Sequence, residues 1–209
     1  MVFDVKQDGR RKSRLIAGGH LIDVVDHNLY SSTVKGLSVR LLHVIAHKQK
    51  LEQLQGDIGN AYVNAYTKEK VYTKAGQTFG VRKGGILIIR KALYGLITSS
   101  ERFVSHLSDT LGAMGFRPTR YDRDVWIRKY KDKNSYEYVC THSDDFLITS
   151  KEPEAVLKAL KAVYTIKSSG KLDYYLESDH KYDKKGRVCI GCKTYIKEAI
   201  ERVENWFGK

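Results

Sequence analysis

Proline, cysteine and acidic residues are all scarce in this 209-residue chain. Only two prolines, Pro118 and Pro153, argue against a linker-rich or disordered polypeptide. Three cysteines, an odd number, provide no disulfide framework. Cys189-Ile190-Gly191-Cys192 is one CxxC, with His180 nearby. A zinc site wants a second ligand pair at suitable spacing, and Cys140 alone does not supply it. The cysteines therefore read as reduced thiols. No apolar run approaches membrane-spanning length, and the N-terminal residues carry no signal-type stretch. An intracellular protein, or a piece of a longer intracellular chain, is expected. Acidic residues number 24 against 37 basic ones, a formal net charge of +13. That excess, spread over positions such as Arg10, Arg11, Lys12, Arg14, Lys68, Lys70, Lys74, Arg82, Lys83, Arg90 and Lys91, favours nucleic acid over an acidic membrane surface. The bland alternative is a solvated basic face.

What is present is a core. Hydrophobic residues make up 42% of the chain, enough for one large domain or two small ones. Residues 2–6, a turn at Gln7-Asp8-Gly9 and residues 12–21 read as a hairpin. Residues 34–50 carry Leu37, Val39, Leu41, Leu42, Val44, Ile45 and Ala46 in a helical pattern. Residues 51–58 and 86–92 read as strands. Residues 99–114 form an amphipathic helix through Phe103, Leu107, Leu111 and Met114, stopped at Gly115. Strands follow at 125–130, 136–142 and 146–149. Pro153 opens a helix through Val156, Leu157, Leu160 and Val163, a good first-turn position for proline. Residues 172–182 and 187–190 form a last hairpin about a turn at 183–186, and 195–205 a terminal helix. From residue 51 the principal order is β-α-β-β-α-β, the split βαβ arrangement. The expected class is α+β, an antiparallel ferredoxin-like sheet with helices on one face.

Asp144 and Asp145 stand between the strands at 136–142 and 146–149. Two adjacent carboxylates at a hairpin tip are poorly tolerated as anions without a cation. The usual companion is a hard divalent metal with oxygen ligands. Asp57 closes the strand at 51–58, and the split βαβ topology can bring it to the same tip. Three such acids could hold two magnesium ions (manganese is also suitable) about 4 Å apart and stabilise both oxygens of an in-line phosphoryl transfer. Asp57 and Asp144 would bridge, with Asp145 more peripheral. Taken singly, an Asp-Asp pair is more often a turn signal, and Asp57 could cap a helix beginning near Gly59. Tyr62, five residues after Asp57, could close the space under a nucleotide sugar and exclude a 2′-hydroxyl, or be a core tyrosine. His43 and His47 at i, i+4 read as a helix-surface or core pair, because no glutamate follows His43 in the HExxH manner. Trp126 and most tyrosines read as core.

Gly56-Asp57-Ile58-Gly59-Asn60-Ala61-Tyr62 resembles the first polymerase motif of reverse transcriptases. Lys91-Ala92-Leu93-Tyr94-Gly95-Leu96 is similar to the KALYGL signature of the copia-type retrotransposon class, and Ser143-Asp144-Asp145 stands where that class carries YVDD. Lys12-Ser13-Arg14-Leu15-Ile16-Ala17 resembles KARLVA. Met114-Gly115-Phe116 with Asp124-Val125-Trp126, and Leu172-Asp173-Tyr174-Tyr175-Leu176, resemble two further stretches, so the match is ordered and spans nearly the whole chain. The resemblance implies a right-hand polymerase: residues 1–50 part of the fingers, 51–182 a palm with a fingers insertion near 66–97, and 183–209 a hairpin and helix at the palm–thumb boundary. It implies an RNA template, a DNA primer or RNA–DNA hybrid, and deoxynucleoside triphosphates. Lys12 and Arg14 would meet the triphosphate, Tyr94 and Gly95 the nucleotide and templating base, Tyr62 would be the sugar gate, and Tyr174, Tyr175 and Leu176 the primer grip. The thumb, connection, RNase H, protease and integrase segments are read as missing, and a cytoplasmic retroelement particle or the nucleus is the expected location.

Four departures accompany the resemblance. His142-Ser143 replaces Tyr-Val, Gly18 replaces a frequent arginine, Glu177-Ser178 replaces Gly-Ile, and Ser100-Glu101 replaces Pro-Arg. His142 and Glu177 put polar groups where apolar packing is usual, at about 1–3 kcal/mol each if buried unpaired. The alternatives are therefore a truncated, catalytically impaired remnant with residual nucleic-acid binding, or a basic RNA-binding module whose carboxylates are dispensable.

Overall fold

The computed structural model describes residues 2–5, 9–19, 32–132 and 134–208. The expected turn at 7–8, most of the expected strand beyond Gly19 and Lys133 lie outside the described residues. The strands are β1 (Val2–Val5), β2 (Arg11–Arg14), β3 (Glu52–Ile58), β4 (Tyr66–Lys74), β5 (Ile86–Lys91), β6 (Arg117–Pro118) and β7 (Val125–Lys129). They continue with β8 (Tyr136–His142), β9 (Asp145–Ser150), β10 (Ile166–Lys171), β11 (Tyr174–Tyr175), β12 (Ser178–Tyr182) and β13 (Val188–Gly191). The helices are α1 (Gly36–Gln49), α2 (Ser99–Ala113), α3 (Pro153–Lys161) and α4 (Lys193–Phe207), with a 3-10 turn at Ala61–Asn64. This is a mixed α/β chain, and among the described residues the strand pairs are all antiparallel. Among the described residues no helix is long and apolar enough to cross a membrane.

The chain divides into two compact units. The first, Met1–Ser31 with Asn60–Met114, holds the hairpin β1–β2, the hairpin β4–β5 and α2. Phe103, Leu107 and Leu111 recur at i, i+4, i+8 on α2 and are all buried. That stripe packs toward the 3-10 turn at Ala61–Asn64 and toward β4.

The second unit, Ser32–Gly59 with Gly115–Lys209, is built on a six-stranded sheet in the order β10-β3-β9-β8-β7-β6. β9 is buried from Phe146 through Ser150, so both its faces are covered. Leu147 turns to one face, packing with Cys140, Val39 and Leu42 of α1, Leu172 and Tyr175. Phe146 and Ile148 alternate to the other face, where α3 packs against β3 and β9 through buried Val156, Leu157 and Leu160. A three-stranded sheet, β11-β12-β13, and α4, which packs on β12, complete the unit.

Three sequence readings change here. The expected strand 172–182 is two strands, β11 and β12, reversed by a two-residue loop at Leu176-Glu177. The strand following α3 in the large sheet is β10, Ile-Lys-Ser-Ser-Gly-Lys, an exposed edge strand without the apolar alternation that marks a half-buried one. Asp57 lies inside β3, while the N-cap position of the 3-10 turn is Asn60, which makes no side-chain capping bond, so Asp57 does not cap a helix.

Candidate active site

β3 alternates along its length. Leu54, Gly56 and Ile58 turn to the α3 face, and Gln53, Gln55 and Asp57 to the other. Asp57 stands directly opposite Asp145 on β9. Directly opposed residues of an antiparallel pair have β-carbons about 4.5–5.5 Å apart on one face. Asp145 is also opposite His142, so Ser143 and Asp144 form a two-residue hairpin loop, with Ser143 left-handed at φ 56°. The loop is tied back to β3 by the Ile58 N–H, which donates to the Asp144 carbonyl at 2.8 Å. Ladder geometry thus gathers Asp57, Asp144 and Asp145 at one end of the sheet.

The electrostatics reflect this crowding. Asp145 is exposed as a residue, yet partial desolvation of its carboxyl, then the charges of Asp144 and Asp57, push it up to about 6, and Lys167 partly opposes them. Lys167 Nζ lies 3.1 and 3.3 Å from the two Asp57 oxygens. An adjacent cavity of about 630 Å³ is lined by Asp57, Asp145, His142 and, across it, Tyr174, Tyr175 and Leu176. Asp144, at the tip, does not line it.

Two side chains that sequence reasoning missed, Gln55 and Lys167, help build this region. The Gln55 amide donates to Asp173 Oδ1 at 2.6 Å, and its carbonyl oxygen accepts from the backbone N–H groups of Asp173 and Tyr174 at 3.3 Å. It thereby staples the 173–175 segment to the strand that carries Asp57. A β-carbon on Gly56 would lie 2.3 Å from the ring of buried Phe146, its partner across the ladder. Lys167 has no sequence signal of its own, whereas the Gln-x-Gln-x-Asp alternation could have pointed to Gln55.

The departures have separable consequences. His142 Nδ1 is buried without a protein partner. Glu177 is exposed, contrary to the packing expectation, and its strain lies in the backbone instead: Leu176 and Glu177 have φ 50° and 57°.

In the first unit, Arg14 stacks over the Tyr94 ring with its guanidinium carbon 5.0 Å from the ring centre. Tyr94 meets Tyr62 at 4.7 Å between centres, and Tyr62 meets Phe103 at 6.4 Å. Gly95, at φ +90°, passes so close to the Ala17 carbonyl that a β-carbon would lie 2.1 Å from it. Ala17 N–H donates to the Tyr94 carbonyl at 2.8 Å. Four of the five expected nucleotide-binding residues are thus joined by contacts between the 12–17 and 91–96 segments, with the Tyr62 ring tilted against Tyr94. Lys12 is half-buried on β2.

Elsewhere, His43 is buried and bonded to Gln53, whereas His47 is exposed and bonded to the Gly186 carbonyl. Trp126 is buried. Cys140 is buried, and Cys189 and Cys192 are exposed free thiols.

The acids at the end of this antiparallel sheet lie beside an open cavity, and sequence comparison supplies the family. The profile of the reverse transcriptase (RNA-dependent DNA polymerase) family matches residues 1–205, and the chain belongs to that family. It is similar to the retrovirus-related Pol polyprotein from transposon TNT 1-94 of Nicotiana tabacum, 23% identical over 96% of this chain and 16% of that protein. It is also similar to the transposon Ty1-LR2 and Ty1-ML2 Gag-Pol polyproteins of Saccharomyces cerevisiae, each 26% identical over 97% of this chain and 12% of theirs. The chain therefore spans less than a fifth of the length of these relatives.

Reverse transcriptases generally use divalent metal ions. The donor set here fits such an ion by chemistry, since it consists of carboxylate oxygens only. Among the described residues, however, no three acidic, histidine or cysteine side chains stand in ready coordinating positions.

Proposed function

We propose that the chain is the RNA-directed DNA polymerase segment of a retrotransposon polyprotein, adding deoxynucleotides to a primer 3′-hydroxyl on an RNA or DNA template. The observation that carries this reading is the cross-strand pairing of Asp57 with Asp145, with Asp144 tied back to β3. Within it, the six-stranded sheet is the palm, and its strand order β10-β3-β9-β8 supports the split βαβ assignment. Residues 1–50 and an insertion near 66–97 contribute the fingers, and 183–209 form the palm–thumb boundary.

Asp57 and Asp144 would hold the magnesium ions, with Asp145 more peripheral, and the ions would supply charge stabilisation at the attacking and leaving oxygens of an in-line displacement. Lys12 and Arg14 hold the triphosphate, as point charge and fork. Tyr94 and Gly95 lie against the nucleotide and templating base, and the Tyr62 ring excludes a 2′-hydroxyl. Tyr174, Tyr175 and Leu176, held by the Gln55 amide, position the primer terminus. The RNA–DNA hybrid is held through backbone charge and shape, consistent with the net charge of +13.

A second reading, a catalytically impaired copy, is favoured by the unpartnered His142 Nδ1 and the strained Leu176-Glu177 loop. Primer extension on an RNA template with magnesium and deoxynucleotides separates the two. Extension that Asp144→Asn abolishes, with the circular dichroism spectrum unchanged, supports the polymerase. No extension by the folded wild-type chain supports the impaired copy.

A further inference from the structure

We propose that Lys167 is a built-in counter-cation for Asp57 that a divalent ion must displace, so that this lysine sets the metal affinity of the acidic site. The inference rests on the reading of Asp57, Asp144 and Asp145 as metal ligands.

Lys167 meets Asp57 at a local irregularity. On β10, Ile166 pairs with Ile58 and Ser168 pairs with Asp57, so Lys167 is the extra residue of a β-bulge. Ile166 shares the face of Ile58 and Ser168 the face of Asp57, so Lys167 stands where the strand changes face, and its ammonium contacts both Asp57 oxygens.

Three carboxylates gathered at one strand end need positive charge. Lys167 supplies it to Asp57. A divalent ion on Asp57 uses the same two oxygens, so the lysine and the ion exclude each other there. The lysine side chain is 49% exposed and the aspartate side chain 29%, so the pair is weak and the ammonium can swing into solvent. Displacement therefore reduces metal affinity modestly, by about two- to fivefold, the range of a half-exposed ion pair.

Manganese binding tests this without reference to activity. The full chain is titrated with Mn²⁺ and the free ion is read by electron paramagnetic resonance. The variants are Lys167→Met, Lys167→Arg, Asp57→Asn and, as a charge control, Lys171→Met. Lys171 lines the same cavity but stacks over Tyr182. The expected result is that Lys167→Met binds about two- to fivefold tighter than wild type. Lys167→Arg should match wild type, and Lys171→Met should gain less than Lys167→Met. Equal gains from the two methionine variants, or no gain from Lys167→Met, overturn the displacement role and leave the metal site intact. Asp57→Asn binding as tightly as wild type overturns the metal-ligand reading itself. Manganese left free by every variant overturns both.

Discussion

Replacing Glu177 with glycine should stabilise the second unit. Tyr175 pairs with Ser178, so Leu176 and Glu177 form a two-residue hairpin loop with both residues left-handed. Such loops favour Asn-Gly and similar pairs because a β-carbon is strained there. The left-handed conformation costs a non-glycine residue about 1–2 kcal/mol. Glycine gives back about 0.5–1 kcal/mol through its greater freedom in the unfolded chain. The net gain from Glu177→Gly is about 0.5–1 kcal/mol. With a urea slope of about 2 kcal/mol/M, the midpoint should rise by about 0.3–0.5 M. The chain has two tryptophans, Trp126 and Trp206, both in the second unit, so fluorescence reports its unfolding selectively. Glu177→Ala removes the charge but keeps the β-carbon, and should leave the midpoint almost unchanged. Leu176→Gly should lower it despite an equally positive φ, because Leu176 packs against the cluster around Leu147 and Tyr175. Equal midpoints for the glycine and alanine variants at 177 would refute the strain argument.

Other substitutions test other parts of the fold. His142→Phe should raise the same urea midpoint, by about 1 kcal/mol of stability, because it removes a buried nitrogen without a partner; a lower midpoint would mean that the nitrogen is satisfied. Gly56→Ala should cost about 1–3 kcal/mol, since the new methyl group must displace the Phe146 ring, and a neutral effect would refute the close approach. Burial lowers the proton affinity of both His43 and His180, whose rings meet at 5.1 Å. Each folded pKa lies below the unfolded value of about 6.5, so the stability they contribute is complete above that pH and is lost as pH falls below it. His43→Phe should flatten the fall in urea midpoint between pH 7.5 and 5.5, and an unchanged slope would assign the loss to other groups. If Tyr62 is the sugar gate, Tyr62→Ala should admit ribonucleotides in primer extension, and unchanged discrimination would remove that role.

Much of the local structure was legible in the residues. The Leu-x-Gly-x-Ile alternation against Gln-x-Gln-x-Asp marks β3 as a two-faced strand. Pro153 ahead of the Val156–Leu157–Leu160 stripe marks α3. β10 escaped because an edge strand with one apolar residue has no period to detect. The reversal at 176–177 escaped because Leu-Glu has none of the chemistry that usually announces a hairpin loop. The irregular pairing of β4 with β5 also hid a strand, since only β5 carries a continuous apolar run.

By itself the sequence determined the family, because the ordered motifs around Asp57, Lys91-Ala92-Leu93-Tyr94-Gly95-Leu96 and Asp144-Asp145 are local strings of residue types. It also bounded the class of partner through an excess of positive charge. Only the tertiary structure decided which groups face one another. Cross-strand register put Asp57 opposite Asp145, the bulged pairing of β10 with β3 placed Lys167 beside Asp57, and the Gln55 amide drew Tyr174 to the same cavity. Register and bulges arise from pairing between segments far apart in the chain, so no window of sequence contains them.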